Sequence, residues 1–235
     1  MRELAQIATH KITIPFTSTS VTIHGWTILN SLIIMIFITA FCIWATRNLR
    51  QAPSRKQVVI EFLVSWFDNL LKDSLGEDGR KFLSFIVSLF LFVLICNWVS
   101  IIPKVAAPTK DVNTCVGLGF LVLFVAHASA IRKKGFLKYL KSYVEPVWFL
   151  LPSNIFSEAS KVLSHSFRLF GNIFAGGIVI SMVPVILWQI FKWWGLPINI
   201  LSMPILNAFF GFFIGSIQAF VFAMLAVAYI SVLRE

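Results

Sequence analysis

The chain has 235 residues, of which 58% are hydrophobic and only 13% charged, with a mean hydropathy of +0.85. Charged residues make up about a quarter of an ordinary soluble domain, so a cytosolic enzyme, a disordered chain and a secreted disulfide scaffold are excluded. At about 20 apolar residues per crossing, the length allows about four to six spans in one integral membrane domain. Twenty Lys and Arg against ten Asp and Glu give a formal +10. These cations cluster between apolar runs, where they act as topology anchors and head-group contacts with the lipid bilayer rather than as nucleic-acid ligands.

The pattern along the chain predicts an all-α polytopic protein. A polar stretch with Arg2, Glu3, His10 and Lys11 comes first and has no cleavable signal pattern. The first span covers 26–45, uncharged and bracketed by Trp26 and Trp44, and stops at Arg47, Asn48, Arg50 and Pro53. Over 58–75 the apolar residues Val59, Phe62, Leu63, Trp66 and Leu70 recur at helical spacing among Glu61, Asp68, Lys72 and Asp73, which predicts an amphipathic surface helix. Further spans are expected at 82–102, ending at Pro103, and at 114–131, ending at Arg132, Lys133 and Lys134. Two long apolar segments, broken at Gly195 and Pro197, form a tilted helix hairpin over 152–233. The first of them is about 60 Å long, twice the hydrocarbon thickness, so it must be inclined, bent or interrupted. Cys42, Cys96 and Cys115 lie in or beside apolar runs and are expected to be buried small hydrophobes.

The loops at 47–81 and 132–141, with Arg234, hold 13 of the 20 basic residues. The positive-inside rule therefore puts the C-terminus in the cytoplasm and the N-terminus outside, in a bacterial inner membrane or its organellar equivalent. Lys161 and Arg168 remain inside an apolar segment. They belong to a stripe, Asn154, Glu158, Lys161, His165, Arg168 and Asn172, whose spacing of three and four places all six along one helix face. A surface-lying amphipathic helix would show the same period, but this stripe runs directly into the uncharged stretch 173–187. A membrane arginine costs roughly 2.5–3.5 kcal/mol and cannot neutralise itself by losing a proton. Glu158, the only intramembrane acid, is expected to pair with Lys161, so that the anion for Arg168 comes from another subunit. Gln218 is the one strongly polar side chain in the middle of the last segment, and Gly211 and Gly215 beside it permit close helix approach.

The run Ser166-Phe167-Arg168-Leu169-Phe170-Gly171-Asn172-Ile173-Phe174-Ala175-Gly176 resembles the signature of the F-type ATP synthase subunit a family. Gln218-Ala219-Phe220-Val221-Phe222 is similar to that family's last-helix motif, and 108–114 and Asn97 with Pro103 are similar to two further places. The resemblance implies an ion-translocating stator of the F0 sector. In it, Arg168 faces a ring of c subunits, and Asn172 and Gln218 hold the arginine or line its water. Ser157, Ser160, Lys161 and Ser164 would line a cytoplasmic half-channel, with Asn154, Glu158 and His165 as further candidates, and Asp111 and Asn113 would lie near the outer mouth. The implied partners are the c ring, peripheral-stalk b subunits and, indirectly, the F1 sector, where the ATP chemistry resides. Three positions depart from the family pattern: Asn154 where a glutamate is common, and Gly177 and Gly211 where a titratable pair is common. H⁺ is favoured over Na⁺ as coupling ion. A self-contained secondary transporter would need its own intramembrane acid–base groups and repeats, and neither is present. No metal or cofactor is expected: His10, His24, His127 and His165 lack ligand spacing, and no phosphate-binding loop occurs.

Overall fold

The computed structural model describes residues 9–13, 20–47, 54–102, 105, 107–144, 149 and 151–234. Asn48, Arg50, Pro53, Pro103, Lys104 and Pro146, to which the sequence assigns loop or break roles, lie outside them. Two short strands, β1 (Thr9–Thr13) and β2 (Ser20–His24), pair antiparallel with Thr9 opposite His24. This ribbon is an addition to the all-α expectation. The described elements after it are helices: α1 (Gly25–Thr46), α2 (Arg55–Leu75), α3 (Leu83–Val99), α4 (Val112–Lys134), α5 (Phe136–Val144), α6 (Leu151–Phe191), α7 (Gly195–Asn207) and α8 (Gly215–Arg234). Five helical stretches are long and apolar enough to cross a membrane.

Local chemistry sets the boundaries. Ser54 caps α2 by accepting from the Gln57 amide, and Gly76 ends it at φ +68°. Asp111 caps α4 by accepting from the Asn113 amide at 3.0 Å. Gly135, at φ +84°, then turns the chain into α5, a short helix inside a stretch that the sequence reading treats as a basic loop. α6 runs 41 residues without interruption, through Pro184, and a 3₁₀ turn at Lys192–Trp194 leads into α7. Asn199 of α7 donates to the Pro184 carbonyl at 3.2 Å, bracing the hairpin. Between α7 and α8 the helix widens into a π segment at Ala208–Ile214.

Lipid tails are as apolar as leucine, so burying apolar surface between membrane helices gains little, and close van der Waals packing must hold them together. α8 supplies that packing with a small-residue face, Ala219, Ala223 and Ala226, all fully buried against α3 and α4. Gly119 on α4 abuts Ser166 of α6, where a Cβ would collide with the Ser166 hydroxyl. Asn97 at the end of α3 donates through Nδ2 to the Gly215 carbonyl at 3.0 Å, and Trp98 Nε1 donates to Ser216 Oγ at 2.9 Å. α2 packs its Phe67 and Leu71 face on α3 and α8, with Phe67 5.2 Å from Phe90 and Trp66 5.4 Å from Phe220 between ring centroids. Its Asp68 pairs with Lys72 at 2.9 Å, while Val59 and Phe62 on the other side stay exposed. Asp78, in the turn after α2, bonds Lys81 and Arg234; the Lys81 hydrogen bond and charge hold its carboxyl below the usual carboxylate range. Cys96 and Cys115 are buried as expected, whereas Cys42 is exposed on α1.

Asn97→Ala removes one buried hydrogen bond and should cost about 1 kcal/mol. Gly215→Val drives a side chain into Asn97, whose Cβ would sit 3.0 Å from the new Cβ, and should cost more, about 1–3 kcal/mol. Thermal unfolding of the detergent-solubilised chain checks the ranking; equal midpoints for the two variants would refute it.

Candidate functional site

α6 carries the polar stripe, with Pro152 in its first turn, where the missing N–H has no intrahelical partner to lose. Glu158 and Lys161 form the expected ion pair at 2.6 Å, but Glu158 Oε2 is buried without a hydrogen-bond partner. The stripe then splits. His165 turns inward and is buried against Phe222 and Tyr229, with ring centroids 3.8 and 5.5 Å away, and among the described residues neither ring nitrogen has a hydrogen-bond partner. Arg168 turns outward and is exposed, and among the described residues it makes no hydrogen bond or ion pair. Leu169 next to it is fully buried, so the backbone that carries the guanidinium is anchored in the core.

α6 and α8 run antiparallel. His165 stacks on Phe222 and Gly176 abuts Phe210, a register that brings Arg168 level with Gln218. Gln218 is buried, and its Nε2 has no hydrogen-bond partner among the described residues.

Two cavities flank this level. One, about 240 Å³, lies at the N-terminal end of α6 and is lined by Asn154, Ser157, Glu158 and Lys161 together with Lys134 of α4 and Tyr139 of α5. Tyr139 Oη also bonds His127 Nδ1 at 2.7 Å. The other, about 180 Å³, is lined by Asn172, Gly176, Gly177 and Ile180 of α6, by Ser100, Ile101 and Lys110, and by Asn207, Phe210 and Gly211. Either has room for several waters. Lys161 and Asn172, their nearest lining residues on α6, are eleven apart, about 16 Å along the axis, and Arg168 lies between them.

Of the residues singled out from the sequence, Asn154, Ser157, Glu158 and Lys161 share one cavity and Asn172 lines the other. Ser157, Lys161, Ser164 and Arg168 follow one another at four, three and four residues along one edge of α6; Ser157, Ser164 and Arg168 are exposed there and Lys161 is half-buried. Ser160 is exposed off that line. Asp111 and Asn113 cap and open α4 and line neither cavity, and their neighbour Lys110 takes the cavity position instead. Lys134, Tyr139, Lys110 and Asn207 escaped the sequence reading as site residues. Only Tyr139 carried a local signal, an aromatic hydroxyl in a short lysine-rich amphipathic stretch. The remaining three reach the cavities from other elements, which spacing along α6 does not report. Among the described residues, no group of three or more His, Cys, Asp and Glu is placed to hold a metal.

Residues 28–231 match the ATP synthase A chain family. The chain belongs to that family. Its members are integral membrane, non-catalytic subunits of the F0 sector with a stator role in ion translocation. Against this background the two glycines that depart from the family pattern acquire a place: Gly177 and Gly211 both line the 180 Å³ cavity. They differ in the room around them. Nothing lies within 4 Å of a Cβ at Gly177, whereas a Cβ at Gly211 would collide with Ile101. Gly177→Glu should therefore assemble normally, while Gly211→His should reduce the amount of F0 in the membrane severalfold unless Ile101 is shortened as well. Immunoblots of washed membranes compare the two; normal levels of Gly211→His beside intact Ile101 would refute the packing argument.

Proposed function

We propose that the chain forms the ion path of the stator, with Arg168 as the fixed charge between two half-channels and the exposed edge of α6 as the surface that meets a ring of c subunits. The observation that carries this reading is the position of Arg168: exposed, without an anionic partner among the described residues, and between two polar cavities. The apolar stretch of α6 is only 11% buried within the chain, which leaves Phe167, Phe174 and Ile178 free to contact a neighbouring subunit.

An ion enters the cavity beside Asn172 and neutralises a c-subunit carboxylate, which can then rotate into lipid, where an ionised acid is prohibitively costly. After nearly a full turn the carboxylate reaches the cavity lined by Glu158 and Lys161 and releases its ion. The bare anion then passes Arg168, which attracts it and repels any cation that would slip directly from one cavity to the other. Gln218, level with Arg168, puts a neutral amide at the depth of the guanidinium, which leaves its charge uncancelled. Ser157 and Ser164, on the same edge, extend the polar line from the Glu158 cavity towards the arginine. The charge bias places that cavity on the cytoplasmic side and the Asn172 cavity outside. α2 lies along the cytoplasmic membrane surface, and peripheral-stalk b subunits hold the chain against the torque of rotation. Each charge crossing gains about 2.3 kcal/mol per 100 mV, so several ions drive each ATP made by the F1 sector.

Arg168→Lys keeps the formal charge but substitutes an ammonium that can shed its proton and lacks the planar fork. It should abolish ATP-driven ion pumping in inverted vesicles while F1 hydrolyses ATP at near-normal rates; retained pumping would refute the role. We take H⁺ as the coupling ion, since the ligands that select the ion sit mainly on the c subunit. ATP hydrolysis by the intact complex at high pH should then be unaffected by Na⁺, and a severalfold stimulation would instead assign Na⁺.

A further inference from the structure

Away from the polar edge of α6, a third cavity of about 500 Å³ opens between the turn after α2, α4 and the end of α8. Four cations line it, Lys81, Arg132, Lys133 and Arg234, against one carboxylate, Asp78. Arg234 is 8% exposed and lies 5.3 Å from the Phe82 ring centroid. It donates from Nη2 to Asp78 at 2.9 Å, while its Nε and Nη1 have no hydrogen-bond partner among the described residues. A buried guanidinium with two unfilled donors is costly until an acceptor is supplied, and Asp78 is already shared with Lys81 at 2.6 Å.

The rest of the lining is apolar. Phe124 is 71% exposed and, with Val125, Ala128 and Phe82, forms a greasy wall. Phe124 precedes Arg132 by eight residues, about 12 Å along α4, so with the cationic end among the head groups the apolar end reaches the acyl region. α5 follows directly, with Phe136, Leu137 and Leu140 exposed beside Lys138 and Lys141, the composition of a helix lying in the membrane interface. The end of α4 is therefore at head-group level.

We propose that this pocket binds the phosphodiester head group of an anionic phospholipid. The phosphate oxygens lie between the exposed Arg132 and Lys133, in the field of the buried Arg234 behind them, and an acyl chain runs down Phe124 and Val125. Inorganic phosphate would satisfy the same cations but would leave the apolar wall unused, so the lipid is the better match. The bound head group would link α4, α8 and the turn after α2. It is independent of the role given to Arg168, because no residue of α6 lines the pocket.

The test uses the intact complex in lipid nanodiscs containing phosphatidylglycerol with a photoactivatable acyl chain, or the matching phosphatidylcholine. Phosphatidylglycerol should label the α4 peptide around Phe124 severalfold more than phosphatidylcholine, with unlabelled phosphatidylglycerol competing and inorganic phosphate failing to compete. Arg132→Gln with Lys133→Gln, both exposed side chains, should lower the labelling by about 25-fold, at about fivefold per cation, with ion pumping retained. Arg234→Gln should lower it as well, but it also frees Asp78, so the exposed pair is the cleaner variant. Equal labelling by the two lipids, an unchanged signal in the double variant, or no labelling because a neighbouring subunit fills the pocket would overturn the proposal. Competition by phosphate as effective as that by lipid would overturn the lipid assignment.

Discussion

A guanidinium stays protonated at every pH a membrane experiences, so a helix that carries one into the bilayer must come with water, with an anion, or with a partner that brings the anion. Glu158 is taken by Lys161, one turn away, and Asp68, Asp78 and Asp111 are engaged in pairs or caps on other elements. Among the described residues, none forms an ion pair with Arg168. The architecture around it is consistent with that. Leu169 and Ile173 fix α6 to the core, the outer edge is left open, and polar cavities approach from both ends without merging.

The rest of the bundle exists to hold α6 and α8 in register. Because lipid offers apolar side chains the same environment as a protein interior, the register depends on steric fit: alanines along α8, glycines at 119, 176 and 215, and the Asn97 bond to the Gly215 carbonyl. α1 contributes little to this fit, with Ile34 alone buried, and is for the most part a lipid-facing span. Charged residues concentrate around Asp78 and along the end of α4, and there ion pairs tie the turn after α2 to α2 through Arg80 and Asp68 and to α8 through Asp78 and Arg234.

Much of this was legible in the sequence because it depends on local periodicity. The spans follow from apolar runs, and the Glu158–Lys161 pair follows from a spacing of three on a helix. The solitude of Arg168 follows from the scarcity of acids in the second half of the chain. What was not legible depends on neighbours distant in sequence. His165 shares the stripe's spacing, yet Phe222 and Tyr229 make an aromatic slot that draws it inward. Lys110 displaces Asp111 from the cavity because the turn at Pro108–Lys110 packs on α6 and leaves Asp111 to cap α4. α5 was hidden by its lysines, which read as loop, although its leucines and phenylalanine are spaced for one face. The N-terminal ribbon rests on strand pairing across six intervening residues, which hydropathy does not reveal.

The widened turn at Ala208–Ile214 separates two halves of what would otherwise be one regular helix. In an unbroken α-helix Asn207 and Gln218, eleven residues apart, would point the same way. A π turn takes more residues per revolution, so the segment works like slack in a screw thread, letting Asn207 reach the cavity while Gln218 keeps its place opposite α6. Loss of one residue from this stretch would let the backbone tighten into ordinary i→i+4 pairing with every amide still satisfied. The upstream half would rotate, carrying Asn207 away from the Asn172 cavity and Gly211 away from Ile101. Chain length here is thus set by the angular phase of the upstream half relative to Gln218, a demand that satisfied backbone amides alone would not impose.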